Sequence, residues 1–285
     1  MTALADLGPA LDRVLAALGS RPVRTELLTA LAPSTTPRRS YRVDLEDGRT
    51  VKLRRARSVA RARVYADLVR ELDDPRLARV LVRHEDLTLE EWVPGVPLAA
   101  SPDDDAHRAA GAALLASLHT AHVRLAEPPP ARLPTEAVRA KLEEDLALLE
   151  GAAAIDAGLG ERLRAAAAGD DPGVAPAGVI HTDLCPENLV VDARGVLRAV
   201  DNEAMRLGST GFDLAAVWYR WPMAGAEWTR FLTSYAGTAD PEPALRHFTF
   251  WRIAALAKSA RVRVRHGAPG AARPLALLRS LAAEA

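Results

Sequence analysis

The 285-residue chain is long enough for two lobes, and its 49% hydrophobic and 26% charged residues are typical of a globular protein. Lys and Arg balance Asp and Glu at 37 each, so no overall field attracts the chain to nucleic acid or to an anionic membrane. A single cysteine, Cys185, excludes an intrachain disulfide and a cysteine-based zinc site. We expect no signal peptide, no membrane helix and a cytoplasmic location.

The beginning of the chain changes from a helical pattern to strand patterns. Apolar residues at helical spacing predict a first helix, which Gly19 ends. RTELLTAL then predicts a strand, and SYRVDLEDGRTVKLRR predicts a β-hairpin with Asp47-Gly48 as a two-residue turn. With that turn Val43 lies opposite Lys52, so we expect a lysine on the apolar face of the hairpin.

A helix and two further strands follow the hairpin. SVARARVYADLVREL predicts a helix with Ser58 as its N-cap, and RVLVRHEDLTLEEWV predicts two short strands. PGVPL, residues 94–98, breaks the pattern, so we place the lobe boundary there, with residues 1–93 before it and 94–285 after it. Helical patterns dominate the second lobe, in DAHRAAGAALLASLHTAHV, TEAVRAKLEEDLALLEGA, LGERLRAAAAG and the chain from Phe212 onward.

One stretch of the second lobe, VIHTDLCPENLVVDARGVLRAVDNEA, returns to strand character. LVV and VLRAV are apolar strands joined by DARG, so the residues that flank this hairpin, Asn188 and Asp201, are expected side by side. An amide oxygen and a carboxylate suit Mg²⁺ that is also bound by substrate phosphates. Asp183 can face the same cleft and accept a proton from a hydroxyl, whereas His181 is better placed to hold the loop.

The same stretch carries a family resemblance. HTDLCPENLVVD with AVDNE resembles the catalytic loop and metal-binding aspartate of the protein-kinase-like phosphotransferases, within them the aminoglycoside phosphotransferase and choline kinase group. Further stretches resemble that group in the expected order: TVKLRR with Lys52, EEWVPG at the lobe junction, GAALLASLH as the helix under the catalytic loop, and GFDLA with Asp213.

The resemblance implies an α+β, two-lobed protein-kinase-like fold, with a small antiparallel sheet in the N-terminal lobe and a larger, mainly helical C-terminal lobe. It implies a small-molecule kinase that binds ATP or GTP and Mg²⁺ between the lobes and phosphorylates a hydroxyl of an antibiotic or metabolite. Asp183 is then the catalytic base, Asn188 and Asp201 bind Mg²⁺, and His181 and Asp213 support the loop. The implied nucleotide contacts are Lys52 and the backbone from Glu91 to Val93. Ser34 and Thr35 are expected to contact the phosphates in a stretch that departs from the family pattern.

Two features depart from the family pattern. The stretch APSTTPRRSY has no glycine where protein kinases have a glycine-rich phosphate loop. Arg61 occupies the position of the helix glutamate that normally pairs with the nucleotide lysine. The alignment is then off by a turn, Glu71 or Asp67 substitutes, or the pair is absent.

These departures keep other classes of protein open. The alternative to a kinase is a non-catalytic, nucleotide-binding pseudokinase. A metal-dependent hydrolase built on His181, Asp183 and Asp201 explains neither Lys52 nor the order of the lobes.

The acceptor is expected to be a small molecule, because the segment that follows Asp201 is too short for the activation loop of a protein kinase. Three interpretations of Glu203 stay open: a substrate contact, a second metal ligand or a solvated acid. Glu203 and other acids could select a cationic acceptor, although acids are equally common on solvated helices: Glu143, Glu144, Asp145 and Glu227. His119 and His122 have metal-like spacing, but His119 is better explained as a packing residue. Neither the acceptor nor an oligomeric state follows from the sequence.

Overall fold

The chain packs into two compact units. A computed structural model describes residues 8–28, 40–100, 104–124 and 132–284. The first unit comprises residues 1–103, 122–131 and 186–206, and the second comprises 104–121, 132–185 and 207–285. Residues 186–206 therefore belong to the first unit, although the residues before and after them along the chain belong to the second. The single lobe boundary after residue 93 stays a prediction.

The first unit contains, in its described part, a five-stranded antiparallel sheet of β1 (Pro22–Leu28), β2 (Ser40–Leu45), β3 (Thr50–Arg55), β4 (Val80–His84) and β5 (Leu87–Glu91). The order of the strands in the sheet is β1-β2-β3-β5-β4. Helix α1 (Gly8–Ala16) precedes the sheet, and helix α2 (Val59–Leu72) connects β3 to β4. The predicted N-cap is confirmed, since the Ser58 hydroxyl accepts a hydrogen bond from the Arg61 amide at 3.3 Å.

The turn between β2 and β3 differs from the predicted one. The Leu45 amide donates to the Arg49 carbonyl at 2.8 Å, which leaves a loop of three residues, 46–48, instead of two. Gly48 has a φ of 84°, the left-handed conformation that closes a three-residue hairpin loop. An Asp-Gly pair is compatible with both loops, so this local signal does not separate them.

The longer loop shifts the register by one residue. Val43 lies opposite Val51, and Arg42 lies opposite Lys52. The expected pairing of Val43 with Lys52 is therefore wrong, because a one-residue slip moves every side chain to the other face. Val43, Val51 and Leu53 enter an apolar cluster, and Lys52 lies on the opposite, charged face of the sheet.

The predicted hairpin at residues 189–200 is confirmed and forms part of the first unit. Strands β9 (Leu189–Val191) and β10 (Leu197–Ala199) are antiparallel, and β6 (Val96–Pro97) pairs with β9. The hairpin is anchored by hydrogen bonds at Ala199, whose amide donates to Arg76 at 2.7 Å and whose carbonyl accepts from Ala78 at 3.1 Å.

The second unit is mainly helical. It contains helices α3 (Asp105–Thr120), α4 (Thr135–Gly151), α5 (Ala157–Gly169), α6 (Thr210–Arg220), α7 (Gly225–Ala236), α8 (Glu242–Leu245), α9 (Phe248–Arg265) and α10 (Ala272–Glu284). Short strands β7 (Arg132–Leu133), β8 (Ala177–Ile180) and β11 (Arg206–Ser209) form a small sheet. Buried side chains of α4, α5, α6, α9 and α10 form its core. Within the described residues, every helix is too short or too polar to cross a bilayer.

Candidate active site

Lys52 is buried on β3 between two carboxylates of the first unit. Its register partner on β5 is Glu90, and the Lys52 Nζ lies 3.7 Å from the Glu90 Oε2. Lys52 also donates a hydrogen bond to Asp201. Burial lowers the pKa of Lys52, but Glu90 and Asp201 outweigh burial and raise that pKa above its ordinary value. Lys52 therefore carries a positive charge that is held in place.

A second ion pair lies on the same face of β3. Arg54 is buried and pairs with Glu203, which follows Asp201 by two residues. This contact ties the segment after Asp201 to the sheet. Glu203, considered above as a possible substrate contact, has only 17% of its side chain exposed.

Asn188 and Asp201 flank the β9–β10 hairpin, as predicted. The amide of Val200, the residue before Asp201, donates to the Asn188 carbonyl at 2.9 Å. Asp201 has a φ of 58°, a left-handed conformation that aspartate tolerates, and half of its side chain is exposed. The donor set is one amide and one carboxylate at the two ends of a hairpin, and oxygen donors of this kind fit Mg²⁺.

Glu91 ends β5 and is held by the hairpin. Arg198 donates to both of its carboxylate oxygens, at 2.8 and 2.9 Å. These bonds lower the pKa of Glu91 to about 2, against a smaller opposing effect of burial. The Glu91 amide donates to the Arg79 carbonyl at 2.8 Å. Val93, two residues later, is buried in an apolar cluster that includes Val190.

In the second unit, Asp213 of α6 supports the loop that follows β8. Its carboxylate is fully buried and accepts hydrogen bonds from the amides of His181 at 2.6 Å and Thr182 at 2.7 Å. Burial raises the pKa of Asp213. The hydrogen bond from His119 and the charge of His119 act in the opposite direction, as do the charge of His181 and the hydrogen bond from its amide. Together they outweigh burial, so the pKa of Asp213 is lowered. The carboxylate therefore holds the backbone that leads into Asp183.

His119 connects this carboxylate to α7. Its Nε2 is 3.1 Å from the Asp213 carboxylate, and its Nδ1 is 2.7 Å from the Tyr235 hydroxyl. An ionised carboxylate only accepts hydrogen bonds, so His119 donates from Nε2. The interpretation of His119 as a packing residue rather than a metal ligand agrees with this arrangement.

Asp183 follows this loop and pairs with an arginine that the sequence analysis missed. The Arg220 Nη1, at the end of α6, lies 2.7 Å from the Asp183 Oδ1. Its Nη2 donates to the buried sulfur of Cys185 at 3.1 Å. Asp183 keeps 38% of its side chain exposed, so solvent reaches its carboxylate.

Some residues predicted to contact the nucleotide or the acceptor lie outside the described residues or form ion pairs within the protein. Ser34 and Thr35 lie outside the described residues. The acids considered for a cationic acceptor all form ion pairs, as in Asp145 with Arg261 and Glu227 with Arg108. Asp183 belongs to the second unit and the Asn188–Asp201 pair to the first, and the proposed roles of all these residues stay predictions.

The comparisons with known proteins place these features in a family. The model of the phosphotransferase enzyme family (APH) matches residues 28–248. A macrolide 2'-phosphotransferase from Brachybacterium faecium is 22% identical, with a TM-score of 0.64 over 95% of this chain and 96% of that one. No curated protein sequence gives a significant match.

Two further solved structures show the same fold. A choline kinase from Streptococcus pneumoniae is 13% identical, with a TM-score of 0.71 over 98% of this chain and 100% of that one. An aminoglycoside-3'-phosphotransferase of type VIII is 22% identical, with a TM-score of 0.56 over 86% and 98%. The predicted protein-kinase-like fold is confirmed.

Proposed function

Because the chain belongs to the phosphotransferase enzyme family, we propose that it is a kinase that transfers the γ-phosphoryl group of ATP or GTP to a hydroxyl of a small molecule. The family match carries this proposal, since it spans Lys52, Asp183, Asn188, Asp201 and their order along the chain. The ion pair that joins Lys52 to Asp201 supports it, because both residues are assigned to the phosphates and their metal.

The first unit supplies the nucleotide contacts in this proposal. Lys52 binds the α- and β-phosphates, as a buried ammonium between carboxylates can. Asn188 and Asp201 hold Mg²⁺, which neutralises phosphate charge when it is bound. The amide of Glu91 is already bonded to Arg79, so the adenine contacts come from the Glu91 carbonyl and the backbone of Val93. The phosphate contacts expected of Ser34 and Thr35 stay a prediction.

The second unit supplies the base. The acceptor oxygen forms a bond to the γ-phosphorus while the bond from that phosphorus to the bridging oxygen breaks and ADP or GDP leaves. Asp183 orients the acceptor hydroxyl and takes its proton. Asp213 holds the loop before Asp183 through two backbone amides, and the buried His181 belongs to that loop.

The acceptor class is an antibiotic or metabolite with a free hydroxyl. The solved relatives are named for macrolides, aminoglycosides, choline and ethanolamine, so each belongs in a test panel. Glu203, which was considered as a substrate contact, is better assigned to positioning, because it pairs with buried Arg54. A cytoplasmic location stays a prediction.

Acceptor-stimulated, Mg²⁺-dependent release of ADP or GDP tests the proposal. We expect one acceptor class to stimulate release, and Asp183→Asn to lower kcat by about 10²- to 10⁴-fold, the usual share of a general base. The matched control is Asp240→Asn, which makes the same chemical change at an exposed residue. The Asp240 carboxylate accepts a hydrogen bond from the Glu242 amide at 3.0 Å, and the side-chain oxygen of asparagine can accept the same bond. Undiminished turnover in Asp183→Asn would refute the assignment of the base. Nucleotide binding without stimulated turnover would favour the pseudokinase.

A further inference from the structure

One of the two carboxylate partners of Lys52 is set by the sheet. Lys52 of β3 and Glu90 of β5 are directly opposite in the antiparallel register. Residues in such a pair project from the same face, with their Cβ atoms about 5 Å apart. The observed separation of 3.7 Å between the Lys52 Nζ and the Glu90 Oε2 therefore follows from the backbone pairing of two neighbouring strands.

Glu90 is itself held in place. Its side chain is 1% exposed, and its Oε1 accepts a hydrogen bond from the Thr88 hydroxyl at 3.0 Å. A carboxylate buried to this degree needs a cation and hydrogen-bond donors nearby. Lys52 supplies the cation and Thr88 the donor, so the position of Glu90 is tied to these two residues.

Helix α2 does not supply this partner within the described residues. Asp67, which we considered as a substitute for the helix glutamate, pairs with Arg70 of the same helix at 2.7 Å. Glu71, the other substitute, is exposed near the end of α2. Of the three alternatives for the helix glutamate, substitution by Asp67 or Glu71 therefore does not agree with the structure.

We infer that Glu90 is the residue that positions Lys52 for the nucleotide phosphates, in place of an acid on α2. The inference rests on the proposed function, since it presumes that Lys52 contacts a nucleotide. Its consequence is that the position of Lys52 depends on the pairing of β3 with β5.

Binding of a non-hydrolysable ATP analogue with Mg²⁺, measured by titration calorimetry, tests the inference without a known acceptor. We expect Glu90→Gln to weaken binding about 10-fold, because Lys52 loses its fixed partner. Gln has the same shape and can still accept from Thr88. Asp67→Asn and Glu71→Gln make the same chemical change on α2, and we expect each to alter the Kd by less than about 2-fold.

A double-mutant cycle separates positioning from a merely structural role. If Glu90 acts through Lys52, Glu90→Gln has no further effect on the Kd in a Lys52→Met background. An equal loss in both backgrounds would overturn the inference. So would tighter binding in Glu90→Gln, since Glu90 would then compete with the phosphates for Lys52.

A second variant covers the case in which Glu90→Gln does not fold, which its thermal unfolding would reveal. Thr88→Val keeps the carboxylate and removes its hydrogen bond, and we expect about 3-fold weaker binding. An unchanged Kd in Thr88→Val would then count against the positioning role. If the wild-type protein binds no MgATP analogue or MgGTP analogue, the proposed function fails and the inference with it. If the wild type binds and Glu90→Gln binds equally well, only the inference fails.

Discussion

Replacement of Asp213 by asparagine tests the support of the catalytic loop. The carboxylate accepts from two backbone amides and from His119. Asparagine keeps one acceptor oxygen. If that oxygen still accepts from the Thr182 amide, the NH₂ group of the asparagine side chain faces the buried backbone N–H of His181. Both groups are donors, so the His181 N–H loses its acceptor. A hydrogen bond to a charged group contributes about 1.5–3 kcal/mol, and a buried unpaired donor adds to the loss.

We therefore expect Asp213→Asn to lower the free energy of unfolding by about 2–4 kcal/mol. Thr182 has a φ of 67°, which is strained for a residue other than glycine and is held in part by this carboxylate. Without the Asp213 carboxylate, Thr182 relaxes from this conformation and displaces the adjoining Asp183, so we expect kcat to fall as well.

Urea unfolding followed by tryptophan fluorescence is a suitable assay, because four of the five tryptophans lie in the second unit. Asp105→Asn is the control: its side chain is 57% exposed in surface ion pairs, and we expect a change of less than about 1 kcal/mol. A loss below about 1 kcal/mol in Asp213→Asn, with kcat unchanged, would refute the supporting role.

Two further predictions concern single ion pairs. Arg220→Met removes the guanidinium beside Asp183, and we expect kcat to fall about 10-fold with the KM for nucleotide within about 2-fold, in steady-state kinetics; a change confined to that KM would contradict the assignment. The lowered pKa of Glu91 stabilises the fold above pH 4.5, and this contribution is lost as the pH falls toward about 2. Urea unfolding across that range should therefore show a smaller loss of stability in Glu91→Gln than in the wild type, and equal losses would contradict the role of Arg198.

The sequence predicted the local parts of the site well. The hairpin that places Asn188 beside Asp201 depends on neighbouring residues alone, and the helix cap at Ser58 does too. The register of β2 and β3 was missed because Asp47-Gly48 fits loops of two or three residues. That error hid the charged face on which Lys52 lies.

The missed contacts are those between residues far apart in the chain. Glu90 meets Lys52 only because β3 and β5 are neighbours in the sheet, and the spacing of residues does not reveal strand order. Arg220 reaches Asp183 from the end of a helix that begins well after the catalytic loop. The alternation of Thr88 and Glu90 on one strand face was an available signal for a buried acid.

Phosphoryl transfer to a small hydroxylated acceptor raises the mass of that acceptor, so mass spectrometry detects it. The wild-type protein would be incubated with MgATP or MgGTP and the panel of macrolides, aminoglycosides, choline and ethanolamine. We predict that one class gains the mass of a single phosphoryl group, that chelation of Mg²⁺ abolishes the product, and that Asp183→Asn makes at most about a hundredth as much in the same time. Release of ADP and inorganic phosphate with every acceptor unmodified would contradict the proposed phosphoryl transfer.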